Sequence, residues 1–141
     1  MKSETERNTF SLQKLYRLID ANLNRLREGI RVLEDIQRFI FDNKEMSEAL
    51  KVLRHDCRTS NDSQYIFERD IRHDVLNQTT TASEMQRDDI DALQLSNMKR
   101  AQESARVLEE AFKLCDLHEA QRFKEIRYRL YDLERRIFTQ S

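Results

Sequence analysis

A short polar segment near the middle of the chain carries the residue types that phosphate chemistry requires. Arg69, Asp70, Arg72 and Asp74 lie within six residues of one another, together with His73. Arginine guanidinium groups suit phosphate oxygens, and carboxylates suit Mg²⁺. The segment therefore indicates either a site for phosphate and magnesium or an exposed loop whose charges pair with one another.

A second set of polar residues occurs twice, at a constant offset of 75 positions. Residues 22–35 read NLNRLREGIRVLED and residues 97–110 read NMKRAQESARVLEE. The identical pairs are Asn22/Asn97, Arg25/Arg100, Glu28/Glu103, Arg31/Arg106, Val32/Val107, Leu33/Leu108 and Glu34/Glu109. A repeat of apolar positions alone would indicate only a shared core. This repeat also keeps asparagine, arginine and glutamate, so it predicts a two-fold arrangement of polar groups.

The polar residues of the repeat have two interpretations. Asn22 and Gly29 fall in the middle of an apolar helix face, with Arg25 at its edge. Small residues at Gly29 and its counterpart Ser104 would let two helices pack closely, with asparagines bonded across the gap. Alternatively, they leave room for a pocket in which polar side chains bind a ligand. A half-buried arginine needs an anionic partner, which either Glu28 or a ligand would supply.

The apolar periodicity places these residues on helices. Apolar residues recur at three- and four-residue steps from about Ser11 to Phe41, which predicts one long amphipathic helix. Asp42-Asn43-Lys44-Glu45 predicts a capping box at the start of a second helix. In the second half we expect a helix opening at Ser83, a capping box at Asp116–Glu119 and a last helix.

The predicted fold is all-α, a four-helix bundle made from a duplicated helix-corner-helix unit with a long polar crossover loop. We predict a single domain over residues 1–141, with repeat halves at about 11–60 and 83–138 and the connecting loop at about 61–82. One glycine and no proline argue against β-hairpins and glycine-rich phosphate loops. The apolar cluster 65–67 is expected to anchor the loop to the bundle.

Net charge and hydropathy indicate which kinds of ligand or partner the protein could bind. Charged residues make up 36% of the chain but sum to a net charge of -1, which argues against a nucleic-acid binder and leaves room for a small anion. No apolar run is long enough to cross a membrane, and the N-terminus lacks a signal-peptide core, so we expect a cytoplasmic protein. Cys57 and Cys115 have no metal-ligand spacing and are expected to be reduced.

Three stretches together resemble a known family: LYRLIDANLNRLREGIRVLED at 15–35, NMKRAQESARVLEE at 97–110 and RYRLYDLE at 127–134. They are similar to the small helical domain usually fused ahead of the thiamine phosphate synthase barrel, which is understood as a hydroxymethylpyrimidine phosphate kinase. The resemblance spans about residues 12–138. It implies phosphorylation of 4-amino-5-hydroxymethyl-2-methylpyrimidine phosphate to the diphosphate, with ATP and Mg²⁺. The chain of 141 residues leads us to expect this domain standing alone, without the barrel.

One loop departs from the family pattern, which reads R-D-x-x-x-D-V-G. Arg69, Asp70, Asp74 and Val75 match it, but Leu76 stands where glycine is expected. If that glycine lets the backbone approach a phosphate, Leu76 would impair nucleotide binding or turnover.

The resemblance and the demands of phosphoryl transfer together imply a role for each polar residue. Phosphoryl transfer needs positioning and charge neutralisation more than a covalent nucleophile. The implied binding residues are Asn22, Arg25, Glu28, Asn97, Arg100 and Glu103, and the implied catalytic residues are Arg69, Asp70 and Asp74. Arg25 and Arg100 would hold phosphate groups about a two-fold axis, and the asparagines would bond the rings or sugar. The acidic residues that would hold Mg²⁺ are Asp70, Asp74, Glu28 or Glu103.

Two alternatives stay open at the level of sequence. One is a catalytically silent helical module that partners a separate thiamine phosphate synthase. The other is a dimeric helical interaction protein, in which Asn22 and Asn97 fix helix register as a buried asparagine does in coiled coils. The half of the repeat that binds nucleotide is open as well.

Overall fold

Helices form the framework of the protein, and the predicted all-α bundle is confirmed. The computed structural model describes residues 10–81 and 85–139, and these ranges contain no β-strand and no helix apolar enough to cross a bilayer. The helices are α1 (Leu12–Asp35, continued by a π-helical turn at Ile36–Ile40), α2 (Lys44–Asp56), α3 (Asp62–Phe67), α4 (Ile90–Phe112) and α5 (Leu117–Thr139). The bundle consists of the four long helices α1, α2, α4 and α5, while α3 begins the crossover between the halves.

Short polar side chains cap the N-termini of the two long helices in the first half. The prediction of the residue that caps α2 was wrong. The Ser11 hydroxyl accepts a hydrogen bond from the amide of Lys14 at 3.4 Å, so α1 begins where its periodicity begins. The cap of α2 is Asn43 rather than the predicted Asp42, and its Oδ1 accepts from the amide of Met46 at 3.0 Å. Asp42 instead forms the turn before α2 with a positive φ of 49°. Asn43 then has the extended backbone conformation that an N-cap residue needs.

The second half begins later than the sequence predicted. The expected helix start at Ser83 lies outside the described residues, and residues 86–88 are not helical. Helix α4 is instead capped by Asp89, whose Oδ1 accepts from the amide of Ala92 at 2.7 Å. The predicted cap at Asp116 is confirmed, because its Oδ1 accepts from the amide three residues later at 3.1 Å.

Helices α1 and α4 are antiparallel and approach closely at the single glycine. A Cβ added to Gly29 would lie 3.1 Å from the backbone oxygen of Asn97 and 3.5 Å from the Cβ of Ala101. Further along α1, the buried Gln37 donates through Nε2 to Oε1 of Gln94 at 2.7 Å. Gly29 therefore serves helix packing, as the first interpretation of the repeat held.

Aromatic rings tie the crossover segment to the bundle. The rings of Phe112 and Phe123 stack with their centroids 5.3 Å apart, and Tyr65 meets Phe112 edge-on at 6.1 Å. The predicted anchor is confirmed for Tyr65, which is 3% exposed, but Ile66 and Phe67 are 45% and 84% exposed. Consecutive residues on a helix point about 100° apart, so only one of the three faces the core.

Replacing Gly29 by valine is expected to lower the free energy of unfolding by about 2 kcal/mol, because the added side chain would push against the backbone of α4. Urea denaturation would measure this change. A valine at the exposed Gln13 of α1 is the control for the helix propensity of valine. Equal losses in the two variants would show that the contact at Gly29 is not close.

Candidate functional site

An open cleft of about 650 Å³, which we call the α1 cleft, lies between α1 and the segment that follows α3. The polar and charged residues of its walls are Lys14, Arg17, Asp20, Asn22, Asn24, Arg25, Arg69, Asp70, His73 and Asp74. Val107 of α4 adds an apolar contact. The structure thus brings together one group of the predicted site residues, namely Asn22, Arg25, Arg69, Asp70 and Asp74.

The remaining predicted residues lie outside this cleft. Glu28 lines a neighbouring opening, and Arg100 and Glu103 are exposed on α4. Asn97 donates to a carbonyl of its own helix, that of Leu93, at 2.9 Å. The arrangement of ligands about a two-fold axis stays a prediction, and the geometry favours a site on α1 and the crossover segment.

A buried carboxylate holds Arg69 in the α1 cleft. Nε and Nη2 of Arg69 donate to the two carboxylate oxygens of Asp20 at 2.7 and 2.8 Å. The side chain of Asp20 is 4% exposed, whereas that of Arg69 is 41% exposed. The hydrogen bonds that Arg69 donates to Asp20 raise the pKa of Arg69, so this guanidinium is positively charged at neutral pH. Sequence reading missed Asp20, although an acidic residue on the buried face of an amphipathic helix is a signal for such a partner.

Asp70 is fixed through both its backbone and its side chain. Its carbonyl oxygen accepts from Nη2 of Arg17 at 2.8 Å, which ties the crossover segment to α1. Its carboxylate lies 2.7 Å from Nδ1 of His73 and accepts from the His73 amide at 3.2 Å. The hydrogen bond from the His73 side chain is the main cause that lowers the pKa of Asp70, so this carboxylate is charged at neutral pH.

The backbone at Leu76 does not require a glycine. Among the described residues other than glycine, only Asp42 has a positive φ, so Leu76 lies in a region that every residue adopts. Its amide donates to Oδ1 of Asp74 at 3.0 Å, which closes a turn. Leucine therefore causes no backbone strain at this position.

Asp70 and Asp74 in the α1 cleft offer carboxylate oxygens, the donors that Mg²⁺ takes. Residues 10–81 and 85–139 contain no group of three or more acidic, histidine or cysteine residues placed to share a metal. Mg²⁺ is usually held by one or two carboxylates, with substrate phosphates and water completing its shell. Asp70 and Asp74 would supply that number, so the donors suit a metal that arrives with its substrate.

Comparison with known sequences places the chain in a family. The sequence model described as the ThiD2 family matches residues 17–136. The chain belongs to the ThiD2 family. The matched range contains all of the α1 cleft described above except Lys14.

Curated relatives share this family region. The thiamine-phosphate synthase of Synechocystis sp. is 42% identical over 84% of this chain and 34% of its own length. The proteins of the same name from Nostoc sp. and Rhodopirellula baltica are 37% and 40% identical, over 86% and 82% of this chain and 35% and 32% of theirs. The chain thus spans about a third of the length of these relatives. No solved structure matches it.

Some of the repeated polar residues in this ThiD2 family member form equivalent ion pairs in the two halves. Nε of Arg54 lies 2.9 Å from Glu34, and Nη2 of Arg127 lies 2.9 Å from Glu109. The side chains of the two glutamates are 3% and 7% exposed. The pairs therefore join α1 to α2 and α4 to α5 through buried carboxylates. The recurrence of these glutamates is therefore structural.

The asparagines of the repeat each donate a hydrogen bond to a carbonyl of their own helix. Asn22 is 5% exposed, and its Nδ2 donates to the carbonyl of Leu18 at 3.0 Å. The bond from Asn97 to Leu93 is its counterpart at the same offset of 75. Asn22 nevertheless lines the α1 cleft, so its Oδ1 is a candidate acceptor for a ligand.

The two cysteines lie outside the α1 cleft. Cys57 is fully buried, and burial raises its pKa to about 12. Cys115 is exposed, and both cysteines are free. A thiol of such high pKa is a poor nucleophile, so Cys57 serves as a small apolar core residue.

Proposed function

We propose that the chain transfers the γ-phosphoryl group of ATP to 4-amino-5-hydroxymethyl-2-methylpyrimidine phosphate, forming the diphosphate and ADP for thiamine biosynthesis. The observation that carries this proposal is the α1 cleft, which gathers four cationic side chains beside Asp70 and Asp74. Membership of the ThiD2 family and the names of the relatives support the pathway.

The chemistry of this reaction explains the composition of the cleft. The bond between the γ-phosphorus and the β,γ-bridging oxygen of ATP breaks, and a bond from that phosphorus to an oxygen of the pyrimidine phosphate forms. The bonding electrons leave with ADP. The acceptor oxygen belongs to a phosphate, which is already ionised at neutral pH, so no general base has to remove a proton. The main obstacle is repulsion between two anions, which cationic side chains offset.

The described side chains divide this task. Three basic side chains of α1 line the cleft and would bind the acceptor phosphate, namely those of Lys14, Arg17 and Arg25. Arg69, held by Asp20, would neutralise the transferring group. Mg²⁺, when bound, would reduce the negative charge of the nucleotide phosphates. The segment that carries Asp70 is held against α1 by Arg17, so acidic and basic groups keep a fixed spacing.

The direct test is a product assay on the purified chain. We expect Mg-ATP and the pyrimidine phosphate together to give equal amounts of ADP and pyrimidine diphosphate, resolved by chromatography. Omitting the pyrimidine phosphate should stop ADP formation. If neither product forms and calorimetry shows no binding of either substrate, the chain is instead a non-catalytic helical module. This alternative fits relatives that are named as synthases and of which the match covers about a third.

A further inference from the structure

A second opening, of about 470 Å³, lies beside the α1 cleft and is lined almost wholly by arginine. Its residues, which we call the arginine pocket, are Arg27, Glu28, Arg31, Arg54 and Arg58. The chain as a whole is nearly neutral, with a net charge of -1, so such a concentration of one charge is a local feature. Positive groups gathered at a concave surface attract anionic ligands.

The arginine pocket and the α1 cleft are neighbours on one helix. Nη2 of Arg27 donates at 3.4 Å to Oδ1 of Asn24, which lines the α1 cleft. Asn24 in the cleft and Arg31 in the pocket are seven residues apart, or two helical turns, so they lie on one face of α1 about 10 Å apart along its axis. A ligand that extends out of one opening would therefore reach the other.

Carboxylates beside the pocket pair with three of its arginines, Arg27, Arg31 and Arg54. Arg54 uses Nε and Nη2 to bind Glu34, at 2.9 and 3.4 Å, and Arg27 uses Nη1 to bind Asp62 at 3.2 Å. Each guanidinium has five N–H donors, so these bonds leave donors for a ligand. The Arg58 side chain makes no ion pair with the described residues, while its carbonyl accepts from Arg122 at 2.7 Å.

The second half of the chain has an equivalent arginine–glutamate pair, but more of the N–H donors of its arginine are bonded within the protein. Arg127 binds Glu109 as Arg54 binds Glu34, but its Nη1 donates to the hydroxyl of Tyr131 at 3.1 Å. Its guanidinium also lies 5.7 Å from the centre of the Tyr131 ring. In sequence spacing Arg58 corresponds to Tyr131, four residues beyond the paired arginine, but it follows the end of α2 at Asp56 whereas Tyr131 lies within α5. The first half therefore has a further arginine, Arg58, where the second half has a tyrosine whose hydroxyl accepts a hydrogen bond from Arg127.

We infer that the arginine pocket binds the polyphosphate chain of the nucleotide, with its terminal phosphate directed along α1 into the α1 cleft. This inference rests on the proposed function and assigns the nucleotide to the first half of the repeat. Several arginines suit a polyphosphate better than a single phosphate, because each phosphate group offers oxygens for a bidentate contact.

The two halves provide a matched pair of variants for the test. Arg31 and Arg106 occupy the same repeat position, are 52% and 56% exposed, and make ion pairs of the same lengths, 3.9 and 3.3 Å. The probe is inorganic tripolyphosphate, titrated into the full chain by calorimetry. We expect Arg31→Ala to weaken its binding about tenfold or more and Arg106→Ala to leave it unchanged. Arg58→Tyr, which copies the second half, should also weaken binding.

The outcomes separate this inference from the proposed function. Equal affinities for Arg31→Ala, Arg106→Ala and the unmodified chain would overturn the inference, even if the kinase reaction is observed. An unchanged KM for ATP in Arg31→Ala would overturn it as well. Selective loss of tripolyphosphate binding in Arg31→Ala and Arg58→Tyr supports it, whether or not pyrimidine diphosphate forms.

Discussion

Replacing Asp70 by asparagine is expected to lower kcat about 10³-fold. This is the largest loss that we predict for replacing one charged residue by an uncharged one. Asparagine keeps the shape of the side chain and an oxygen that can accept from His73, so the turn at 70–73 should persist. The negative charge that would bind Mg²⁺ beside the transferring phosphoryl group is lost. The loss should therefore fall on kcat, with circular dichroism unchanged.

Steady-state kinetics at saturating Mg-ATP would measure this effect, with Asp132→Asn as a control. Asp132 is an exposed carboxylate of α5 that does not line the α1 cleft. Because the His73 side chain lowers the pKa of Asp70, the charge should be lost only when pH falls below the usual carboxyl range. An Asp70→Asn enzyme as active as Asp132→Asn would rule out a catalytic role for this carboxylate.

Replacing Arg69 by glutamine is expected to reduce both turnover and stability. The rate should fall about 10²- to 10³-fold, because the charge that opposes phosphate repulsion is removed. The free energy of unfolding should fall by about 2 kcal/mol, since Asp20, buried at 4% exposure, would lose a bidentate partner. Urea denaturation and product formation would measure the two losses separately.

A double replacement distinguishes the catalytic role of Arg69 from its structural one. Asp20→Asn combined with Arg69→Gln substitutes a neutral amide pair for the ion pair and should recover most of the lost stability. It should not recover turnover, because the positive charge is still absent. Recovery of the rate together with stability would show that Arg69 only holds the crossover segment in place.

The helices could be read from the sequence because their signals are local. Apolar periodicity gives α1 and α5, and Ser11 and Asp116 cap helices through the amide three residues ahead. The cap at Asp42 was predicted wrongly because the π-helical turn and the positive φ of Asp42 move the start of α2 by one residue. Such a shift depends on how the corner packs, which no short motif records.

The candidate site could be read only in part, because its key contacts join distant positions. The types and spacing of Arg69 and Asp70 were visible in one short segment. Their partners Asp20 and Arg17 lie 49 and 53 positions away, and only the folded crossover brings them together. The repeat predicts the ion pairs that the two halves share, but the α1 cleft is formed mainly by the first half and the crossover segment.

Phosphoryl transfer on α1 and the crossover segment, as proposed above, can be tested directly with two arginines of the repeat. Arg25 lines the α1 cleft, whereas its counterpart Arg100 is exposed on α4 outside it. We would measure kcat/KM for the pyrimidine phosphate in Arg25→Ala and Arg100→Ala. We expect a loss of about a hundredfold for Arg25→Ala and none for Arg100→Ala. Equal losses in the two variants would contradict it and would place the ligands about the two-fold axis instead.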